Sequence, residues 1–417
     1  KVGVGATVGV AMLNNTISAG IKGGEYKYVG NVDVEALNAL QNITVGIAAG
    51  LTLPSSGSGA SAVVEGAGVY NEVHNTTNAF ITGTENGNDV DNIVISTVDG
   101  GSVNVTAQDV AVVKTYEDIL TDGLADGKQE IANRMGKDFD ITGKTELDGV
   151  KMDDAETELN KNKQDTETKE SVKLDKNTGS SIITVAGGLA ATTGKGAGGA
   201  AVAITDIENT YTADVKYAAI TADELDVDAG SNSNIVTVAG GIGAANKGSG
   251  VGSVSWNDVD NTAKVNIKHS VVKAQNTEAT AENNAQIVSV TGQISGGKDA
   301  AIGAALGYVG LDNSTEANIS NTTFDKRADE ETDGITVKAD AQNRSDSYNI
   351  GAGVSSAGKA AINGTVVVTQ THGTAGAVMD KVTINDAKSV TANALDDTDI
   401  LSVIGTVTIS GKAAVGA

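Results

Sequence analysis

Carboxylates are the most abundant side chains in this sequence that could do chemistry, with 53 Asp and Glu against 29 Lys and Arg. Asp223, Glu224, Asp226 and Asp228 form one cluster, and Asp329, Glu330, Glu331 and Asp333 form another. Two acids flanking a glycosidic bond can hydrolyse it, one donating a proton while the other stabilises the developing cation. Oxygen-rich stretches can also bind Ca²⁺. Asn86-Gly-Asn88-Asp89-Val-Asp91 and Asp226-Val-Asp228-Ala-Gly230 are the two candidates, and neither has the full calcium-loop pattern. The acid clusters read as solvated, loop-like turns. The histidines are His74, His269 and His372, and none sits in a His-x-x-x-His or Glu-x-x-His spacing that would ligate a metal. Gly353-Val-Ser-Ser-Ala-Gly358-Lys359 has the spacing of a phosphate-binding loop. Its next residue is Ala360, where a Ser or Thr hydroxyl should meet magnesium. Tyr26 and Tyr28, which share one face of a strand, and Trp256, which stands alone, could stack on sugars, although edge packing explains them better. The expectation is therefore no catalytic residue, no metal site and no cofactor, with the binding residues unassigned.

Any such residue must be positioned by repeated elements. Stretches beginning at Ile182, Ile235, Ile287, Tyr348 and Ile400 resemble one another, and each runs into a small-residue turn carrying Lys195, Lys247, Lys298, Lys359 or Lys412. These lysines are 52, 51, 61 and 53 residues apart. A second landmark, Asn-Thr/Ser-x-x-Ala, recurs at Asn15, Asn75, Asn209 and Asn313, with Asn261-Thr-Ala a looser version. Segment 41–81 aligns with 180–215, with Pro54-Ser-Ser-Gly-Ser in place of the lysine turn. On this alignment His74, Glu208, Asp312 and His372 share one slot, expected to be polar and exposed. A fixed period of this size marks stacked repeats.

Within a repeat the period is two. Val236 and Val238 alternate with Thr237 and Ala239, and Val265 and Ile267 alternate with Lys264 and Asn266. That alternation, bounded by Gly, Asn and Asp, predicts half-buried strands. The expected fold is an all-β parallel β-solenoid, each unit burying its apolar face on its neighbours. A repeat may be read equally as one long coil or two short ones. From 112 to 178 the repeat disappears and Glu, Lys, Leu, Ala and Met, which favour helix, become dense. The expected organisation is solenoid over 1–111, a charged and partly helical insertion over 112–178, and solenoid again over 179–417.

Composition narrows the function classes. The chain has 417 residues, 52 Gly, one Pro, no Cys and a net charge of −24. Such acidity argues against binding nucleic acid, where affinity comes from neutralising phosphates, and against docking on anionic lipid. Without Cys there is no disulfide scaffold and no thiolate chemistry. Val2 to Ile21 is uncharged but interrupted by Gly, Asn and Thr, so it is read as a repeat tail rather than a targeting segment or a membrane span. A start at Lys1 suggests a fragment.

Val-Ala-Gly-Gly at 238–241, the lysine turn, the Gly/Ala alternation and the Asn-Thr-x-x-Ala landmark together resemble the repeats of large Gram-negative surface adhesins, namely autotransporter passengers and filamentous-haemagglutinin-like proteins. The resemblance covers everything but the insertion. It implies a non-catalytic extracellular stalk, exported through an outer-membrane β-barrel by type V secretion. Its implied partner is a host-cell receptor, a glycan or another bacterium, with no direct insertion of this fragment into a membrane. Two other readings stand beside it: a polysaccharide-active β-helix enzyme, lyase or glycosidase, and a self-associating structural stalk.

Overall fold

The computed structural model describes residues 2–52, 61–86, 89–110, 180–327 and 334–417, without the side chains of 85–91. The expected insertion over 112–178 lies outside the described residues, as do Pro54 and the acidic run 329–333. Every regular element described is a strand. All but one short hairpin pair in parallel, in three sheets.

One repeat is one coil. Gly248–Lys268 runs along the first sheet (sheet A), Val271–Lys273 crosses the short second sheet (sheet B), and Asn276–Gly297 returns along the third (sheet C). A turn then leads into Ala300–Ser320, which lies beside Gly248–Lys268 with Gly248 opposite Ala300. The question of one coil or two is thus settled by strand length: strands of 21 and 22 residues are long enough to carry a whole side each. Pairing also corrects the alignment at one turn. The partners Gly196, Gly248, Ala300, Ala360 and Ala413 set steps of 52, 52, 60 and 53 residues. Lys195, Lys247, Lys359 and Lys412 precede these positions, but Asp299, not Lys298, fills the slot in the middle coil. Its carboxylate accepts from the next lysine upward, Lys359 Nζ at 2.8 Å.

The solenoid continues across 111–179. Ser102–Asp109 pairs with the first part of Glu224–Ala245, and Ser180–Thr192 pairs with the rest. The two strands are halves of a single rung. Asp109 closes the break, accepting from the Ser180 backbone N–H at 3.1 Å and from its hydroxyl at 2.9 Å.

The cross-section is a wedge. At its wide end, near sheet B, Ile81, Ile93, Ile95, Ile220, Ile267 and Phe324 fill the interior. Toward the lysine turns the interior is lined mainly by small side chains such as Ala190, Ala197, Ala245 and Ala301, with Val63, Val251 and Gln293 among the few larger ones, because sheets A and C converge. A Cβ on Gly188 would lie 2.1 Å from the Ala200 carbonyl oxygen. The taper leaves room for few rings, in keeping with an aromatic content of 3%.

Polar ladders hold the coils in register. The landmark asparagines stack inside: Asn15 donates to Asn75 at 3.0 Å, Asn75 to Asn209 at 2.8 Å, Asn209 to Asn261 at 2.9 Å and Asn261 to Asn313 at 3.0 Å. Asn75, Asn209 and Asn261 each spend one N–H on the coil above and the oxygen on the coil below, so a buried polar group is satisfied by its own repeat. A second chain of hydroxyls crosses the wedge through Thr184, Thr205 and Thr237. At the turn from sheet A to sheet B, Tyr217, His269, Asn321 and Lys381 take left-handed backbone, with φ between 48° and 52°.

Candidate functional site

Alternation decides what the outer face of sheet A displays. Odd-numbered or even-numbered positions go out as a set, so matching residues of successive coils form columns along the axis. One column runs Glu72, Asp206, Asp258 and Gly310. The next runs His74, Glu208, Asp260, Asp312 and His372. The slot shared by His74, Glu208, Asp312 and His372 is therefore real, and its members are exposed or half-buried, as their alternation with apolar neighbours predicts.

Neighbouring strands lie only ~4.8 Å apart, so carboxylates in these columns repel one another. Burial, followed by the nearby Asp258 charge, holds the Asp206 carboxyl above the usual range. Burial, then Asp312 and Glu208, does the same to Asp260. Gly310 interrupts the column. A Cβ there would meet the Tyr308 hydroxyl at 2.8 Å and Asp258 Oδ1 at 2.9 Å, so this glycine leaves room for both.

Trp256 does not stand alone. It stacks on Tyr308 of the next coil, ring centroids 4.0 Å apart and planes 24° from parallel. Sequence separation hid this pair, whereas the 52-residue period would have revealed it, since 256 + 52 = 308. The two rings cover one another's faces, which turns their edges outward. A sugar needs an open face to stack on, so this pair anchors the surface more readily than it clasps a pyranose. Tyr26 and Tyr28 do not share a strand face, because Tyr28 has φ of 57° and turns away at the corner.

Sheet C places the other sequence candidates. Asp226 and Asp228 lie on a regular strand with outward side chains, not in a loop. Burial, reinforced by Glu224 and Glu278, pushes the Asp226 carboxyl up to about 6. Burial, reinforced by Asp226, Glu278 and Glu282, pushes Asp228 up to about 6 as well. Asp223 is separated from them at the corner, where Arg327 binds it. Arg327 also pairs with Asp99 at 2.8 Å and donates to the Thr97 and Val98 carbonyls, both at 3.2 Å. It clamps coils that the sequence separates by more than two hundred residues. Gly353 lies within a strand, so Gly353–Lys359 forms no phosphate cradle. Among the described residues, no group of three His, Asp or Glu side chains is placed to hold a metal ion.

A buried polar cluster went unnoticed in the sequence. Asp109, at the break in sheet C, also faces the hydroxyl of Tyr211, which accepts from Asn38 Nδ2 at 3.0 Å. Burial pushes the Asp109 carboxyl up to about 7 against its hydrogen bonds. The same burial, and then the Asp109 charge, raises Tyr211. Only the period, which places Asp109 opposite the gap before Ser180, could have signalled the cluster.

The chain matches no protein family, no curated protein and no solved structure.

Proposed function

We propose that the chain is part of a bacterial cell-surface adhesin: a non-catalytic solenoid that presents its long side faces to a host-cell receptor, a glycan or another bacterium. The observation that supports this reading is the arrangement of charge. The landmark asparagines inside are spent on a coil-to-coil ladder, whereas Asp206, Asp258, Glu208, Asp260 and Asp312 stand outward as stripes along one sheet. A repeated stripe suits an extended or multivalent partner, because each added contact is intramolecular once the first is made. Export through an outer-membrane barrel belongs to the same proposal. Binding of the purified chain to epithelial cells, mucin and partner bacteria tests it, with Asp206→Asn, Asp258→Asn and Asp260→Asn combined as the comparison. Saturable binding that the triple substitution weakens supports the reading, and no binding to any of the three surfaces overturns it.

One observation favours the enzymatic alternative. Asp226 and Asp228, both raised to about 6, are adjacent acids of which one can keep a proton near neutrality, as a general acid must. Turnover of a polysaccharide, abolished by Asp228→Asn, would replace adhesion by hydrolysis as the function.

A further inference from the structure

The outer face of sheet A has two unlike halves. Beyond the carboxylate columns, toward the lysine turns, each strand has five more outward positions. Across the six long strands none of these carries a charge. In Gly248–Lys268 they are Gly248, Gly250, Gly252, Val254 and Trp256. Ile302 is 53% exposed and Val366 54%, while Val202, Ile204, Val254 and Leu306 in this half are half-buried. With ~6.6 Å between outward residues and ~4.8 Å between strands, the half measures roughly 30 Å by 30 Å. That is close to the ~800 Å² per partner of a standard protein interface, and larger than the apolar patches that monomers usually expose.

The glycines point the same way. A Cβ on Gly66, Gly68, Gly250, Gly252 or Gly364 would meet nothing within 4 Å, and none of them has left-handed backbone. The single chain therefore has no need of glycine at these places, where it costs about 0.5–1 kcal/mol relative to Ala. Bare backbone on an outer strand face permits close approach by a second surface.

We infer that this half is the contact face of a homodimer, with a second copy lying against it face to face and coil axes parallel. Charge selects the occupant and its orientation. The apolar half ends at Lys195, Lys247, Asp299 and Lys359 on one side and at Asp206, Asp258, Gly310 and Gln370 on the other, so that two coils set a lysine opposite an aspartate. Turning one copy by half a rotation about an axis parallel to the coil axis lays each lysine edge along the partner's carboxylate columns. Lys247 of each copy then meets Asp258 of the other, and the acidic remainder of both chains stays outside the contact. Repulsion between the two net charges is screened beyond ~8 Å at physiological ionic strength. The inference shares Asp206 and Asp258 with the adhesion reading, but sedimentation reads the pairing of copies and not the binding of a cell, so each can fail while the other holds.

Sedimentation equilibrium of the whole chain tests it. The unmodified chain is expected to form dimers. Gly252→Arg, whose side chain enters open space in the single chain, is expected to raise the dimer dissociation constant by at least about a hundredfold without changing the circular dichroism spectrum. Lys247→Glu and Asp258→Lys are each expected to weaken dimers by about tenfold or more, and the two combined to restore them. A chain that stays monomeric over the whole concentration range overturns the inference, including one that instead floats with phosphatidylcholine vesicles. So does a dimer that Gly252→Arg leaves intact, or a double charge exchange that fails to restore pairing.

Discussion

Single side chains in this protein act mainly through where burial puts them. Asp109 is the clearest case. An unfolded aspartate titrates near ~3.9, whereas in the fold this carboxyl is pushed up to about 7. Between those values the folded chain holds a proton that the unfolded chain has released. The native state binds more protons there, so stability falls as pH rises from about 4 to about 7. Asp109→Asn keeps an oxygen for Ser180 and removes the titration. Thermal melts of this variant are expected to lose that decline, and at about pH 8 it should be more stable than the unmodified protein. An unchanged pH profile would show that Asp109 is ionised in the fold at neutral pH. Asn261 depends on its neighbours in a different way. It accepts from Asn209 and donates to Asn313, both inside the wedge. Asn261→Leu strands a donor on one side and an acceptor on the other, and should cost about 2–4 kcal/mol in urea unfolding. A loss below ~1 kcal/mol would mean that the ladder is replaceable by apolar packing.

At the scale of the strand, the same residue type has opposite roles on opposite faces. Gly188 points inward at the narrow edge, where a Cβ would collide with the Ala200 carbonyl. Gly240 points outward on sheet C, and a Cβ there meets nothing within 4 Å. Gly188→Ala is therefore expected to lose about 3 kcal/mol through forced separation of the sheets. Gly240→Ala should be neutral or gain up to about 1 kcal/mol, because Ala loses less backbone entropy in a strand. Chemical denaturation of both variants checks the pair, and equal losses would contradict the convergence of sheets A and C. Strand alternation was legible in the sequence, and so was the Asn landmark. Which glycines carry weight was not, since Gly187 and Gly188 are adjacent in the chain and only the opposing sheet distinguishes them.

For the whole molecule, the decisive fact is that coils on either side of 111–179 stack on one another through shared partners in Glu224–Ala245. Asp109 and Ser180, the two ends of the gap, are hydrogen-bonded. Closing them with a short linker thus joins residues already in contact, and a shorter loop costs less entropy to close. Replacing 112–178 by a Gly/Ser linker is expected to leave the β-sheet circular dichroism spectrum intact and the melting temperature equal or higher. Collapse of the sheet signal would make that segment part of the core. The same variant, assayed on cells and mucin, separates recognition by the inserted segment from recognition by the side faces.

Period and alternation are local properties, and the sequence by itself determined them: the parallel solenoid, the polar slot of His74 and Glu208, and the lysine turns all follow from residues repeating at a fixed distance. Tertiary structure alone decided three things. It made one repeat a single coil, because the interior wedge accommodates strands of 21 residues. It moved Asp299 into the lysine slot, because hydrogen-bonded pairing between strands, rather than residue likeness, sets the register. It also brought Arg327 to Asp99 and Asp223, contacts across the stack that no pattern within one repeat contains. The physical reason is common to all three: a strand's own sequence states which side chains face in and out, while the neighbouring coil and the opposing sheet determine what each of them meets.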